Sequence, residues 1–170
     1  MEALHLAQPE DLTICYEIIN AGKQFQKEQG FIQWTDDYPN LDTIKHDIAG
    51  QKGYVLKSEG RIAGYLCIDF GGEPAYDHIE GTWHSSVPYA VVHRMAFSRD
   101  FQGKGLTASA FPLIEQLCLS KGISYIRIDT DFPNKRMQHI LEKQGFSHCG
   151  TVMFQGSGKM AYDKLLLSFS

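Results

Sequence analysis

The spacing of apolar residues in the first part of the chain predicts a strand, two helices and a hairpin. A short apolar run at 3–8 predicts the strand, and Pro9 then opens a helix. A shorter helix is predicted over 41–49, and two strand-like runs at 53–59 and 61–70 predict a hairpin. The expected apolar faces of the two helices comprise Ile14, Ile18, Ala21 and Phe25 in the first and Leu41, Ile44, His46 and Ile48 in the second.

The rest of the chain alternates between strand-like and helix-like segments after one long polar loop. That loop, 71–88, is also aromatic, which is typical of a functional loop in a compact domain. Pro112 lies inside one predicted helix and should kink or delay it. The remaining predicted elements are a strand at 89–97, a helix at 104–120, a strand at 124–130, a helix at 134–144, and strands at 146–154 and 159–169.

Together these segments predict one mixed α/β domain over residues 1–170. We expect about seven strands and about four helices. The composition, 43% hydrophobic and 21% charged, is ordinary for a globular protein with a real core.

Charge and hydropathy exclude several classes of partner. The formal net charge is -4, and the basic residues are interspersed with acidic ones instead of forming the stripe that nucleic-acid binders carry. No apolar run approaches the length needed to cross a bilayer, and the acidic N-terminus lacks a signal-peptide core. The sequence therefore predicts a cytoplasmic protein with no nucleic-acid or membrane partner.

The cysteines are scattered and lie mostly among apolar neighbours. They are Cys15, Cys67, Cys118 and Cys149, and no CxxC pair occurs among them. Isolated cysteines of this kind are typical of reduced core residues in a cytosolic protein, so we expect neither a disulfide nor a metal ion.

The glycine-rich stretch QGKGLT, residues 102–107, is the strongest candidate for a phosphate-binding site. It lacks the GxxxxGK spacing of a P-loop, which excludes that motif. It matches the dinucleotide fingerprint from Gly103 to Ala108, but the residues SRDFQ separate it from the preceding strand, where the fingerprint should follow directly. Its context therefore favours neither motif.

From Val92 onward the chain resembles the GNAT superfamily of acyl-CoA-dependent N-acyltransferases. The family signature is Gln or Arg, two residues, Gly, one residue, then Gly or Ala. Gln102 and Gly105 fit this signature, while Thr107 departs from its last position. The order of the predicted elements also matches the family along almost the whole chain. The resemblance implies a central mixed, mostly antiparallel twisted sheet flanked by helices.

The resemblance also implies where acetyl-CoA, the expected cosubstrate, would bind. Its pyrophosphate would lie on the N–H groups of Gln102, Gly103, Lys104, Gly105, Leu106 and Thr107, at the positive end of the following helix dipole. Its pantetheine arm would pair with the backbone of Met95, Ala96 and Phe97 as an added strand does. Asn134 either contacts that arm, caps the following helix, or does both.

Transfer to an amine needs a base, because an alkyl ammonium titrates near ~10.4. Candidates are His93, Glu80 and, less favoured, Asp77. His93 should share a strand face with Met95 unless a bulge intervenes, and a core histidine is an equal alternative. Glu80 could instead be a solvated loop acid. Arg94 should face the opposite side, where it could bind a carboxylate of the substrate or of the protein itself.

The general acid is left open by the sequence. Many relatives place a tyrosine where this chain has Leu141 in its last helix. Tyr162 or Tyr89 could replace it, or no acid is needed, since a thiol titrating near ~8.5 leaves readily at neutral pH.

Two aromatic and acidic stretches are expected to contact the acceptor. Aromatic faces and carboxylates together suit a cationic amine, approaching between the two stretches toward His93. The alternative for Trp34 and Tyr38 is that they pack the connection between the first two helices. The candidate acceptor-binding residues are Trp34, Tyr38, Tyr76, Asp77, Trp83 and Tyr89.

Two functions remain open on the sequence. The first is direct transfer of an acetyl group from acetyl-CoA to a primary amine of a small molecule or peptide, in a ternary complex. The second is a non-catalytic acyl-CoA-binding sensor or interaction domain of the same fold. This alternative stays open because Leu141 replaces the tyrosine that many relatives have. The sequence does not decide the acceptor, the acyl chain length, or whether the protein is a homodimer.

Overall fold

The computed structural model describes residues 1–154 and 156–166, and it confirms the predicted mixed α/β fold. The helices are α1 (Leu12–Glu28), α2 (Leu41–Ala49), α3 (Leu106–Ser120) and α4 (Lys135–Lys143). The strands are β1 (Glu2–Leu6), β2 (Gly53–Ser58), β3 (Arg61–Asp69), β4 (Glu80–Gly81), β5 (Ala90–Phe97), β6 (Tyr125–Asp131), β7 (Ser147–Phe154) and β8 (Ser157–Leu165). Of the predicted last strand, residues 167–169 lie outside the described residues.

Chain contacts divide the structure into two compact units, and β5 and α3 each contribute residues to both. The first unit comprises Met1–Ile68 and His93–Leu113. In it β1 pairs with β2 and β2 with β3, both antiparallel. Its core contains the buried faces of α1 and α2 together with Val55, Tyr65 and Ala96.

The second unit comprises Asp69–Val92 and the chain from Ile114 onward. Here β6 pairs with β8, β8 with β7, and β7 with β4, all antiparallel. The first residues of β5 run parallel to β6. The pairing is therefore mixed and mostly antiparallel, as predicted. No helix among the described residues is long and apolar enough to span a bilayer.

The buried face of α1 differs from the prediction. Its buried side chains are Cys15, Ile18, Ile19, Gly22, Lys23 and Gln26. Ile14 is 38% exposed because it lines, with Ile18 and Ala21, an open crevice of about 700 Å³. In α2, Asp47 is buried although it is charged, whereas the predicted apolar Leu41 is exposed.

The strand β4 was not predicted, because a strand of two residues has no periodicity. It forms where Gly81 lies opposite Gly150, with φ values of 134° and 150°. A Cβ added to Gly81 would lie 2.2 Å from the carbonyl oxygen of Cys149, and one added to Gly150 would lie 2.1 Å from that of Glu80. Two glycines therefore allow the loop 71–88 to reach the edge of β7.

We predict that Gly81→Ala destabilises the protein more than a glycine substitution that costs backbone strain alone. The matched control is Gly60→Ala, where φ is +74° but nothing lies within 4 Å of the added Cβ. The control should cost about 1–2 kcal/mol, and Gly81→Ala about 1–3 kcal/mol more, because its methyl group meets backbone. Urea denaturation measures both, and equal losses would contradict the close approach.

Candidate functional site

The side chain of Gln102 fixes the start of the glycine-rich loop. Its Nε2 donates to the carbonyl oxygens of Phe97, at the end of β5, and Ala21, in α1, each at 3.2 Å. Both N–H bonds of the amide are thus used to hold the loop between a strand end and a helix. The signature residue that the sequence proposed as a cofactor contact has a clear supporting role in the first unit.

The loop then turns through two glycines into α3. Gly103 and Gly105 have φ values of +75° and +76°, and nothing lies within 4 Å of a Cβ added at either position. Backbone conformation, not crowding, therefore requires glycine here, and the space beside the loop is open. The first bond within the helix runs from the Ser109 N–H to the Gly105 carbonyl at 3.2 Å. The N–H groups before Ser109 have no acceptor in their own helix, which is the geometry that binds anions.

Strand β5 departs from regular alternation at Arg94. This residue has φ +55°, so the chain turns sharply between His93 and Met95. The sequence prediction that these two share a face required an uninterrupted strand, and the irregularity removes that argument. His93 is half-buried, next to Arg94. Along β5, the register of the described residues pairs only Ala90 and Val91 with β6.

Arg94 belongs to a buried ion pair, as one of the two sequence hypotheses proposed. Its Nε donates to Oδ2 of Asp47 at 2.9 Å and its Nη2 to Oδ1 at 2.5 Å. Its Nη1 donates to the Tyr38 hydroxyl at 2.9 Å, and the Tyr65 hydroxyl donates to Asp47 at 2.7 Å. Burial and the Asp47 carboxylate raise the pKa of Tyr65. The pair spans two elements and stabilises the irregular part of β5.

Trp34 and Tyr38 both have structural partners in the first unit. Trp34 packs against the core cluster, where a Cβ added at Gly22 would lie 3.0 Å from its ring and 2.8 Å from the Cβ of Ala96. Its backbone N–H donates to Oε1 of Gln26 at 3.0 Å. Trp34 and Tyr38 therefore pack within the first unit, which was the structural alternative proposed for them. Their contact with an acceptor stays a prediction.

In the second unit, the loop 71–88 is built around Tyr76. This ring is fully buried, and its hydroxyl donates to Oδ2 of Asp129 at 2.6 Å. Burial, with the Asp129 carboxylate adding to it, raises the pKa of Tyr76, and burial likewise raises the pKa of Asp129. The indole N–H of Trp83 donates to the Tyr76 carbonyl at 2.8 Å. Tyr76 thus supports the loop from its interior, and its predicted contact with the acceptor stays a prediction.

Arg127 supplies the cation for the aromatic residues of this loop. Its guanidinium carbon lies 4.3 Å from the Trp83 ring centre and 4.2 Å from that of Tyr89. Its Nη2 donates to the Ser85 carbonyl at 2.8 Å. A face of each ring is thus covered by a cation of the protein itself. An acceptor ammonium is not needed to explain these aromatic residues, and the sequence had not identified Arg127 as their partner.

The acidic residues of the loop remain exposed. Asp77 lies in a 3-10 turn and Glu80 in β4, and both side chains face solvent. By contrast, Tyr89 exchanges hydrogen bonds with the backbone of Glu73, where the Glu73 N–H donates to its hydroxyl at 3.2 Å. The loop therefore has a closed aromatic interior and an open anionic surface.

The remaining candidates of the second unit lie in α4 and β8. Asn134 caps α4, since its Oδ1 accepts from the Met137 N–H at 3.1 Å, as predicted. Leu141 is completely buried. Tyr162 is buried against His148, and its pKa is raised by burial and by Glu142. A phenol with a raised pKa keeps its proton at neutral pH.

The chain matches known acetyltransferases along most of its length. The family model described as "Acetyltransferase (GNAT) family" matches residues 15–146. A GNAT-family acetyltransferase from Streptococcus agalactiae is 32% identical, with a TM-score of 0.88 over 98% of this chain and 96% of that one. Among curated proteins, none matches at a significant level.

More distant structures share the fold. A GNAT-family acetyltransferase from Listeria monocytogenes is 22% identical, with a TM-score of 0.77 over 97% of this chain and 95% of that one. The aminoglycoside acetyltransferase AAC(6')-Ib in complex with coenzyme A and kanamycin is 20% identical, with a TM-score of 0.72 over 97% and 95% of the two chains.

We predict that Arg94→Met lowers the free energy of unfolding by about 3–5 kcal/mol, because it leaves Asp47 buried without its cation. The control is Arg61→Met, which removes an ion pair to Asp100 in which both side chains are more than half exposed. That change should cost about 0–1 kcal/mol. Chemical denaturation measures both variants, and similar losses would show that the Arg94 pair contributes no more than a surface pair.

Proposed function

Because this chain belongs to the GNAT acetyltransferase family, we propose that it transfers an acetyl group from acetyl-CoA to a primary amine of a small molecule or peptide. Transfer is direct, within a ternary complex. The observation that carries the proposal is the glycine-rich loop at the start of α3. Its open backbone is braced by Gln102 and ends in N–H groups without helical acceptors.

The loop fits a pyrophosphate in both charge and space. The N–H groups from Gly103 to Thr107 can donate to phosphate oxygens, and the positive end of the α3 dipole favours their charge. Lys104 is exposed and adds a positive charge. Since no atom lies within 4 Å of a Cβ added at Gly103 or Gly105, the phosphates can approach this backbone closely.

The pantetheine arm, in this proposal, pairs with the backbone of Met95, Ala96 and Phe97. This fits the short register between β5 and β6, which involves only the first two residues of β5. Asn134 uses its side-chain oxygen as the cap of α4. We assign Asn134 to the cofactor arm as well, which is the role that the family resemblance implies.

The residues assigned to the chemistry are His93 and Glu80. We assign His93 as the base that removes the proton from the bound ammonium, because an imidazole exchanges protons near neutral pH. Glu80 and Asp77 are exposed carboxylates that attract the cationic acceptor. Tyr162 would serve as the acid, although the leaving thiol does not strictly require one.

The acceptor class we favour is a polyamine-like or aminoglycoside-like cation. The surface of loop 71–88 offers carboxylates, while Arg127 already covers a face of Trp83 and of Tyr89. Kanamycin is the ligand of one structure that shares this fold. We therefore place aminoglycosides in the first panel of acceptors, beside small primary amines and peptide amines.

We predict that acetyl-CoA and at least one amine of this panel give an acetylated product, detected by mass spectrometry together with thiol release. Gly105→Glu should weaken acetyl-CoA binding by at least ~10-fold, or about 1.4 kcal/mol, relative to Gly105→Ala. Both variants share the strain of φ +76°, so their difference isolates the repelling charge. Calorimetry measures the affinities.

The outcomes of this experiment separate the two functions. Binding of acetyl-CoA without a product for any amine would favour the alternative, a non-catalytic acyl-CoA sensor, to which the buried Leu141 in place of a tyrosine also points. Equal affinities of Gly105→Glu and Gly105→Ala for acetyl-CoA would show that the pyrophosphate does not lie on this loop.

We predict that His93→Gln lowers kcat by ~10²–10⁴-fold with little change in acetyl-CoA affinity, because a positioned base is lost. Glu80→Gln should mainly raise the KM of the acceptor, since it removes attraction but no proton transfer. His5→Gln is the control, because His5 is an exposed histidine of β1. Steady-state kinetics with the best amine measure kcat and the KM of the acceptor for each variant. An unchanged kcat in His93→Gln would show that His93 is a structural residue and not the base.

A further inference from the structure

Three side chains with metal-ligand chemistry meet in the second unit. They are His84, Cys149 and Asp163, and one ligand atom of each lies within 4.8 Å of the other two. Nδ1 of His84 is 2.7 Å from Oδ1 of Asp163 and 3.4 Å from Sγ of Cys149. Neither the glycine-rich loop nor the proposed base belongs to this cluster.

The Asp163 carboxylate is held in one orientation. Its Oδ2 accepts from the backbone N–H of His84 at 2.8 Å and from the Tyr125 hydroxyl at 2.5 Å. Oδ1 is therefore left to face the His84 ring and Cys149. A ligating oxygen fixed by hydrogen bonds to its neighbour is the usual outer shell of a metal site.

A β-bulge places Cys149 in the cluster. In the pairing of β7 with β8, His148 lies opposite Tyr162 and Gly150 opposite Ala161, so Cys149 is the unpaired extra residue between them. A β-bulge changes the direction in which a side chain points, and bulges are frequent beside functional sites. The Cys149 carbonyl accepts from the Thr82 N–H at 3.0 Å, which holds the segment before His84 against the same bulge.

The arrangement does not fit a nucleophilic cysteine. Both Sγ of Cys149 and Oδ1 of Asp163 approach the same nitrogen, Nδ1 of His84. A catalytic triad needs the nucleophile and the carboxylate on opposite nitrogens of the ring.

We propose that His84, Cys149 and Asp163 bind one divalent cation of the zinc class, with water in the fourth position. Imidazole nitrogen, thiolate sulfur and carboxylate oxygen are together the donors that Zn²⁺ takes. The ion forms bonds to Nδ1, Sγ and Oδ1 in place of the hydrogen bond between His84 and Asp163. The thiol proton leaves to solvent, and the neutral imidazole carries its proton on Nε2. This departs from the sequence-based expectation of no metal ion. It stands on geometry alone and does not depend on acetyl transfer.

Occupancy of this site would tie together three segments of the second unit. The segment after β4 that carries His84, the bulge of β7 and the C-terminal part of β8 would share one ion. The loop 71–88 would thereby be closed at its C-terminal part, close in sequence to Glu80. The expected effect is a more rigid loop, not a new reaction.

The test is titration of the metal-free full chain with Zn²⁺ by calorimetry and with Co²⁺ by absorption spectroscopy. We expect one ion per chain and a thiolate-to-cobalt charge-transfer band, which Cys149 alone would give because Cys15, Cys67 and Cys118 are fully or almost fully buried. Cys149→Ser should remove the band and the zinc affinity. His84→Gln should do the same, and it changes a side chain that is 52% exposed.

Two further variants complete the design. Tyr125→Phe removes a hydrogen bond to Oδ2 of Asp163 and should weaken zinc binding by about 10–100-fold. His148→Gln is the matched control and should keep the parent's affinity, because that ring packs on Tyr162. The proposal is overturned if the parent binds no Zn²⁺ in micromolar solutions, or if folded Cys149→Ser and His84→Gln bind it as the parent does.

Discussion

A helix N-terminus can bind an anion only if its N–H groups are kept away from the chain's own acceptors. In this protein the carboxamide of Gln102 meets that constraint by fixing the backbone that leads into α3. It donates to the carbonyls of Phe97 and Ala21, so one side chain holds the end of β5 and the helix α1, which is distant in sequence. The glycines that follow then turn the chain with φ near +75°. The loop's openness is thus a product of tertiary contacts and backbone freedom together.

Much of the fold could be predicted because local signals and burial agree. The second helix was predicted over 41–49 and spans Leu41–Ala49, since Asn40 caps it, accepting from the Thr43 N–H, and Gly50 follows its end. The strand β4 could not be predicted, because its two residues form a strand only through contact with Gly150. A pattern along the chain cannot show a partner that lies many residues away.

The same limit applies to the candidate site. The signature loop was identified from its sequence, because a glycine turn before a helix is a local feature. The partners of Arg94 and of Trp83 were not, because Asp47 and Arg127 are distant in sequence and charged residues are usually exposed. The positive φ of Arg94 was equally hidden, since arginine rarely adopts it and nothing in HRMAF indicates a break. The role of a side chain whose partner is distant in sequence can therefore be assigned only from the structure.

The division of the loop 71–88 into a closed aromatic interior and an exposed acidic surface has a consequence for selectivity. With Arg127 on the faces of Trp83 and Tyr89, stacking of an acceptor cation on those faces competes with the protein's own guanidinium. In the proposed function, discrimination by this loop then depends on exposed carboxylates such as Asp77 and Glu80. A single exposed ion pair contributes only about 0–1 kcal/mol, so a monoamine gains little from this surface. An acceptor with several ammonium groups gains from several pairs at once, and salt weakens all of them together. For the acceptor site proposed here, the electrostatics of this loop would therefore favour polycationic acceptors, with an affinity that falls as ionic strength rises.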